Sequence, residues 1–204
     1  MLRSSRQSTS DPAAVTKRTP AERERRDNGQ DDLDAEPDPE SVARAIALRK
    51  LSAAPQTRAQ LDDAMRRRGV PDVVRNQVLD RFGDVGLIDD AMFAQAWVES
   101  RHSGRGLARR ALAFELRRRG VEPSIVDHAL ATLPAEQEEQ TARALVAARL
   151  ASTRALEPAT RTRRLAGMLA RKGYPPGLAF RVVRDALASE GIAEDQLPPE
   201  PAGE

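Results

Sequence analysis

One pentapeptide, RRRGV, occurs twice, at residues 66–70 and 117–121, and a looser version, ARKGY, follows at 170–174. Aligning Gly69, Gly120 and Gly173 gives spacings of 51 and 53 residues and brings a whole pattern into register. Eight residues before each glycine stands a leucine: Leu61, Leu112, Leu165. Four before stand Met65, Leu116 and Leu169; five after, Val74, Ile125 and Leu178; ten after, Leu79, Leu130 and Val183. Apolar positions at these intervals on either side of a glycine predict two amphipathic helices folded back on each other. Proline follows each glycine closely (Pro71, Pro123, Pro175 and Pro176). Glycine closes one helix in a left-handed conformation and proline opens the next, which fits this punctuation.

A further helical segment precedes each pair: ESVARAIALRKLSA, DDAMFAQAWVES and EEQTARALVAARLAS. Thr57 with Gln60 predicts a capping box before Leu61, and Asp89 predicts a cap for the helix bearing Phe93 and Trp97. Glu136, Glu138 and Glu139 suit the positive end of a helix. The chain therefore reads as all-α: three tandem three-helix repeats forming an elongated, curved array whose units bury apolar faces partly against their neighbours. The expected boundaries are 40–87, 88–134 and 135–188. Residues 1–39 and 189–204 are too polar and proline-dotted to bury a core and read as disordered tails, the second acidic. The basic, serine-rich start lacks the apolar stretch of a secretory signal and is assigned to the first tail.

Charge is unevenly spread. Residues 1–40 hold 7 Lys+Arg and 10 Asp+Glu, residues 188–204 hold no basic residue and 5 acidic ones, and residues 41–187 hold 26 basic and 16 acidic. A basic body points to an anionic partner, nucleic acid or an acidic protein surface. Arginine outnumbers lysine thirty to three in an alanine-rich chain, so part of this charge is generic solvated surface.

No pattern calls for catalysis. The chain has no cysteine, and so neither a thiolate nucleophile nor a cysteine-ligated metal. His102 and His128 lie in different units without metal-ligand spacing and are read as surface residues. The GRG at 104–106 lacks the lysine and preceding strand of a phosphate loop and is read as a flexible joint, whose amides and Arg105 could still hold a phosphate. Asp89 and Asp90 are explained by capping and the helix dipole. Phe93 and Trp97, four apart, are read as core rather than as platforms for bases. No catalytic, cofactor or metal residue is assigned. No apolar run reaches membrane-spanning length.

The segment richest in positive charge beyond architectural need carries Arg101, Arg105, Arg109, Arg110, Arg117, Arg118 and Arg119. Leu112 and Leu116 share one helical face; Arg110 and Arg117 share the opposite one, with Phe114 between them. Phe114 with Leu107 is read as a second packing contact. Arg117, Arg118 and Arg119 also offset the negative end of their helix. These seven arginines are the candidate contacts to a partner or DNA.

Residues 84–121, DVGLIDDAMFAQAWVESRHSGRGLARRALAFELRRRGV, resemble the core of the RecX family, regulators of the bacterial recombinase RecA. The resemblance is carried by Gly86, Ile88, Asp89, Asp90, Phe93, Ala94, Arg101, Gly104, Leu112, Glu115, Leu116, Gly120 and Val121. The flanking units fit more loosely, so that residues 40–188 are covered. Leu87 departs from the family, which often has tyrosine or phenylalanine there. The resemblance implies a curved array of three three-helix repeats, a monomeric cytoplasmic protein that is not an enzyme. It would lie in the groove of the filament that RecA forms on single-stranded DNA and inhibit its ATPase, strand-exchange and coprotease activities. That places it in DNA recombination, repair and the SOS response, with no cofactor and no membrane. The alternative is a stand-alone basic helical module that binds nucleic acid without the recombinase; an enzyme is a remote third reading.

Overall fold

In the computed structural model, which describes residues 38–193, the three aligned glycines end helices in the left-handed region, with φ of 76°, 75° and 90° at Gly69, Gly120 and Gly173. The described residues contain nine α-helices, one short 3-10 turn and no strand. The first repeat comprises α1 (Pro39–Ala53), α2 (Arg58–Arg66) and α3 (Asp72–Asp84). The second comprises α4 (Asp90–Arg105), α5 (Arg109–Arg118) and α6 (Pro123–Ala131). The third comprises α7 (Ala135–Leu150), the 3-10 turn Ala151–Thr153, α8 (Pro158–Arg171) and α9 (Pro176–Ser189). The expected tails lie outside the described residues, except that α1 already begins at Pro39 and α9 reaches Ser189.

Local signals produce these ends. Thr57 accepts from the Gln60 amide at 3.2 Å while the Gln60 side chain accepts from the Thr57 amide at 3.1 Å, completing the capping box. Asp89 accepts from the Met92 amide at 2.8 Å. Pro123, Pro158 and Pro176 occupy first turns, where a missing N–H leaves no helical bond unmade.

Each repeat closes its own core. Ile46, Leu61, Met65, Leu79 and Phe82 are buried together in the first, Val98, Leu112, Leu116 and Val126 in the second, and Val146, Leu165, Leu169, Val183 and Leu187 in the third. The leucines at minus eight and the Met/Leu positions at minus four are all buried to 2 % exposure or less, as the alignment predicts. The expectation that repeats share apolar faces is met by Ala108, which joins the third core from the second repeat, and by Ile88, at the start of the second repeat, which joins the first core.

Polar groups at helix ends also join the repeats, and the joint recurs. The Thr57 hydroxyl, at the start of α2, donates to the Arg119 carbonyl at the end of α5 (2.6 Å). One repeat later the Ala108 amide, at the start of α5, donates to the Lys172 carbonyl at the end of α8 (2.9 Å). Thr57 and Ala108 both stand twelve residues before their glycines; Arg119 and Lys172 both stand one before theirs. The middle helices thus meet end to start, so that opposite ends of their dipoles face each other. A carboxylate from the following repeat completes each joint. Asp90 Oδ1 accepts from the Arg58 amide at 2.9 Å, and Glu138 Oε1 accepts from the Arg109 amide at 2.9 Å.

Two of the three glycines gain a second role here. A Cβ on Gly120 would collide with the Ala59 methyl, and one on Gly173 would lie 2.5 Å from the Ala111 amide nitrogen. Gly69 faces open space. At the third repeat the equivalent of Thr57 and Ala108 is Arg161, 4 % exposed inside α8. It donates to Thr153 Oγ1 at 3.1 Å and pairs with Glu190.

Three sequence expectations are corrected. The GRG joint is not loose: Gly104 is helical, while Gly106 is the buried left-handed cap of α4 (φ 60°), with Leu145 Cδ1 2.9 Å from where its Cβ would be. Glu138 does not stabilise only its own helix; it is 6 % exposed and caps α5. His102 is buried at 3 % exposure, because α7 of the next repeat covers it.

Candidate nucleic-acid interface

The seven arginines singled out above fall into two groups. Arg101, Arg109 and Arg119 are held by the protein itself. The Trp97 ring lies stacked on Phe93, with centroids 5.6 Å apart. The Arg119 guanidinium lies 3.7 Å, and that of Arg101 4.0 Å, from the Trp97 ring centroid. Two cations against one indole need a counter-charge, and Glu115 supplies it. Its Oε2 accepts from Trp97 Nε1 at 2.8 Å and lies 3.9 Å from Arg101 Nε. Burial, followed by the charge of Arg101, lowers the Arg119 pKa against the pull of Glu115. Trp97 is thus a half-buried cation–π hub, and Phe93 is core at 9 % exposure. Arg109 turns back onto the Leu133 carbonyl and lies 3.8 Å from Glu138, fastening α5 to the start of α7.

Arg105, Arg110, Arg117 and Arg118 are exposed. The Arg105 and Arg110 side chains form no ion pair among the described residues. Arg117 lies 3.9 Å from the exposed Asp127, a contact of little energetic weight in water. Arg118 sits 5.7 Å from the Phe114 ring centroid. Phe114 itself is 62 % exposed, so the second packing contact expected with Leu107 does not form. Leu107 packs on the second core while Phe114 remains in solvent. The sequence already held the clue, since Phe114 shares a face with Arg110 and Arg117, opposite Leu112 and Leu116.

The rest of the middle unit is structural in character. A cleft of about 400 Å³ beside α4 is lined by Gln95, Val98, Glu99, His102, Ser103, Thr132, Leu133 and Gln137. Its histidine is engaged at both nitrogens, with Leu107 O at 2.9 Å from Nδ1 and Thr141 Oγ1 at 2.9 Å from Nε2. Among the described residues no three His, Asp or Glu side chains converge to hold a metal ion, and no helix is long and apolar enough to cross a membrane.

Fold and surface together define a class: an array of three-helix units with a cationic middle unit. Family models for the first, second and third three-helix domains of RecX match residues 43–82, 89–130 and 136–183. The chain belongs to the RecX family. It is 61 % identical over 158 residues to the regulatory protein RecX of Thermobifida fusca (strain YX), spanning 78 % of this chain and 85 % of that one. It is 59 % identical over 160 residues to that of Streptomyces lividans, with the same coverages. Against that of Mycobacterium avium (strain 104) it is 48 % identical over 157 residues, spanning 76 % and 91 %. The crystal structure of RecX from Lactobacillus salivarius shares the fold, with a TM-score of 0.68 at 16 % identity over 74 % of this chain and 97 % of that one.

Proposed function

We propose that this protein is a non-enzymatic regulator that binds the filament formed by RecA on single-stranded DNA and inhibits its ATPase, strand exchange and coprotease activities. The relatives bear the name regulatory protein RecX. The observation that carries the reading is the exposed set Arg105, Arg110, Arg117 and Arg118 in the middle unit of a chain of this family. Four cations with little internal counter-charge favour a polyanion or an acidic protein surface. The protein acts as a cytoplasmic monomer, lodging across successive recombinase subunits with the middle unit inward. It blocks partners sterically, and it slows ATP turnover to the extent that it binds one filament state better than the other. Through the filament it bears on recombination, repair and the SOS response.

The test is RecA ATP hydrolysis on single-stranded DNA, titrated with the full chain and with residues 40–188. Hydrolysis should fall at stoichiometric protein. Unchanged hydrolysis together with unchanged filament length would refute the reading. Affinity for bare strands compared with filament separates it from a stand-alone nucleic-acid-binding module.

A further inference from the structure

Phe114 is a large apolar side chain left in water by a helix that buries its leucines completely. On α5, residues 110, 114, 117 and 118 follow the i, i+4, i+7, i+8 spacing of one helical face, opposite Leu112 and Leu116. All four side chains on this face, Arg110, Phe114, Arg117 and Arg118, are exposed. The only carboxylate of α5, Glu115, is turned to the Trp97 indole. The face is therefore an aromatic ring among three cations, with the exposed Asp127 3.9 Å from Arg117.

The other middle helices lack this arrangement. Six residues before its glycine α2 has Asp63, paired to Arg66 at 2.8 Å, and α8 has Gly167. The aromatic is thus peculiar to the middle repeat and plays no part in the recurring joint.

We infer that Phe114 is a stacking platform for a base of single-stranded nucleic acid, with Arg110, Arg117 and Arg118 engaging the adjoining phosphates. The inference deepens the reading above, on which its choice of a DNA strand rests. The chemistry favours a strand over an acidic protein patch. Every base offers a flat π-face to an exposed ring, while each phosphate meets a nearby guanidinium. A duplex hides its bases in the stack and would leave the ring unused. The Arg118 guanidinium lies over the Phe114 ring, 5.7 Å from its centroid, which leaves the opposite face for a base to stack on.

The experiment measures binding of the full chain, without recombinase, to labelled oligo(dT) and to an abasic oligonucleotide of equal length. Wild type should bind oligo(dT) about tenfold more tightly than the abasic strand, on the scale of base–aromatic stacking. Phe114→Ala should abolish that preference with helicity and Tm unchanged, and Phe114→Trp should restore it. Equal binding of both strands by wild type, or a preference that survives in Phe114→Ala, overturns the inference. So does a Phe114→Ala protein that binds both strands as wild type does but no longer inhibits recombinase ATPase, because the face would then meet protein. If wild type inhibits the ATPase yet shows no base preference, this inference fails and the regulatory reading stands. A base preference lost in Phe114→Ala, with no ATPase effect by any variant, supports the platform and removes the regulator.

Discussion

The carboxylate of Asp90 accepts a hydrogen bond from the backbone amide of Arg58 at 2.9 Å, so the first residue of α4 caps a helix of the preceding repeat. Its neighbour Asp89 caps α4 itself. Two adjacent acids thus divide between holding one repeat and joining two. Burial raises the Asp90 pKa more than the Arg58 amide and side chain lower it, with Asp89 adding to the rise. The folded state therefore favours the neutral carboxyl, and the contribution of this group declines as pH rises through its folded pKa. What Asp90 supplies to the joint is the acceptor for the Arg58 amide. Asp90→Asn, which keeps the acceptor, should lie within about 0.5 kcal/mol of wild type, and Asp90→Ala should cost about 1 kcal/mol, as loss of an N-terminal cap does. Denaturant unfolding distinguishes them.

The three glycines should not be equivalent. Gly69→Ala meets only the left-handed backbone, at about 1 kcal/mol. Gly120→Ala and Gly173→Ala add a collision across the joint, with the Ala59 methyl and the Ala111 backbone, and should cost about 2–4 kcal/mol. The two should be alike, because the Ala59 methyl is fixed to its backbone and yields no more readily than the Ala111 nitrogen. Equal Tm losses at all three positions would contradict the joint.

Tyr174, the chain's only tyrosine, donates to the Gly106 carbonyl at 3.2 Å and links the second and third repeats. Burial, then the charge of Glu138, pushes its pKa from 10.0 to about 12. A raised pKa means that its contribution is complete below the unfolded value and is lost as pH rises from 10 to about 12. Tyrosinate absorbance of the folded protein should titrate near the higher value and return to the ordinary one in denaturant. Tyr174→Phe should remove that alkaline slope and cost about 1 kcal/mol at neutral pH.

The arginines should separate by experiment as they do by geometry. Arg101→Ala and Arg109→Ala should lower stability by about 1–2 kcal/mol, because each leaves a carboxylate or carbonyl without its cation. Arg105→Ala, Arg110→Ala and Arg118→Ala should stay within about 0.5 kcal/mol of wild type. The latter three should weaken binding to a polyanion and flatten its salt dependence. Reversing charge at Arg101, Arg105 and Arg109 together would confuse the two effects, so Arg105, Arg110 and Arg118 form the cleaner set.

Much of this was legible in the sequence because helix signals are local. A glycine with leucines four and eight residues before it, a proline after it, and Thr57 with Gln60 each act within two helical turns, which was enough to find the nine helices and their grouping in threes. Partners far along the chain were not legible. Nothing near Glu138 tells that it reaches Arg109, and nothing near His102 tells that α7 covers it. The sequence also could not sort the arginines, since a guanidinium is equally at home in solvent or against an indole. Whether Arg119 meets Trp97 depends on the angle at which α5 crosses α4. The repeat and its punctuation were therefore determined by the chain alone. The tertiary structure decided what RRRGV does: Gly120 and Gly173 are glycines also because a neighbouring helix starts against them, and of the arginines before Gly120 it sets Arg119 against the Trp97 indole and leaves Arg117 and Arg118 exposed.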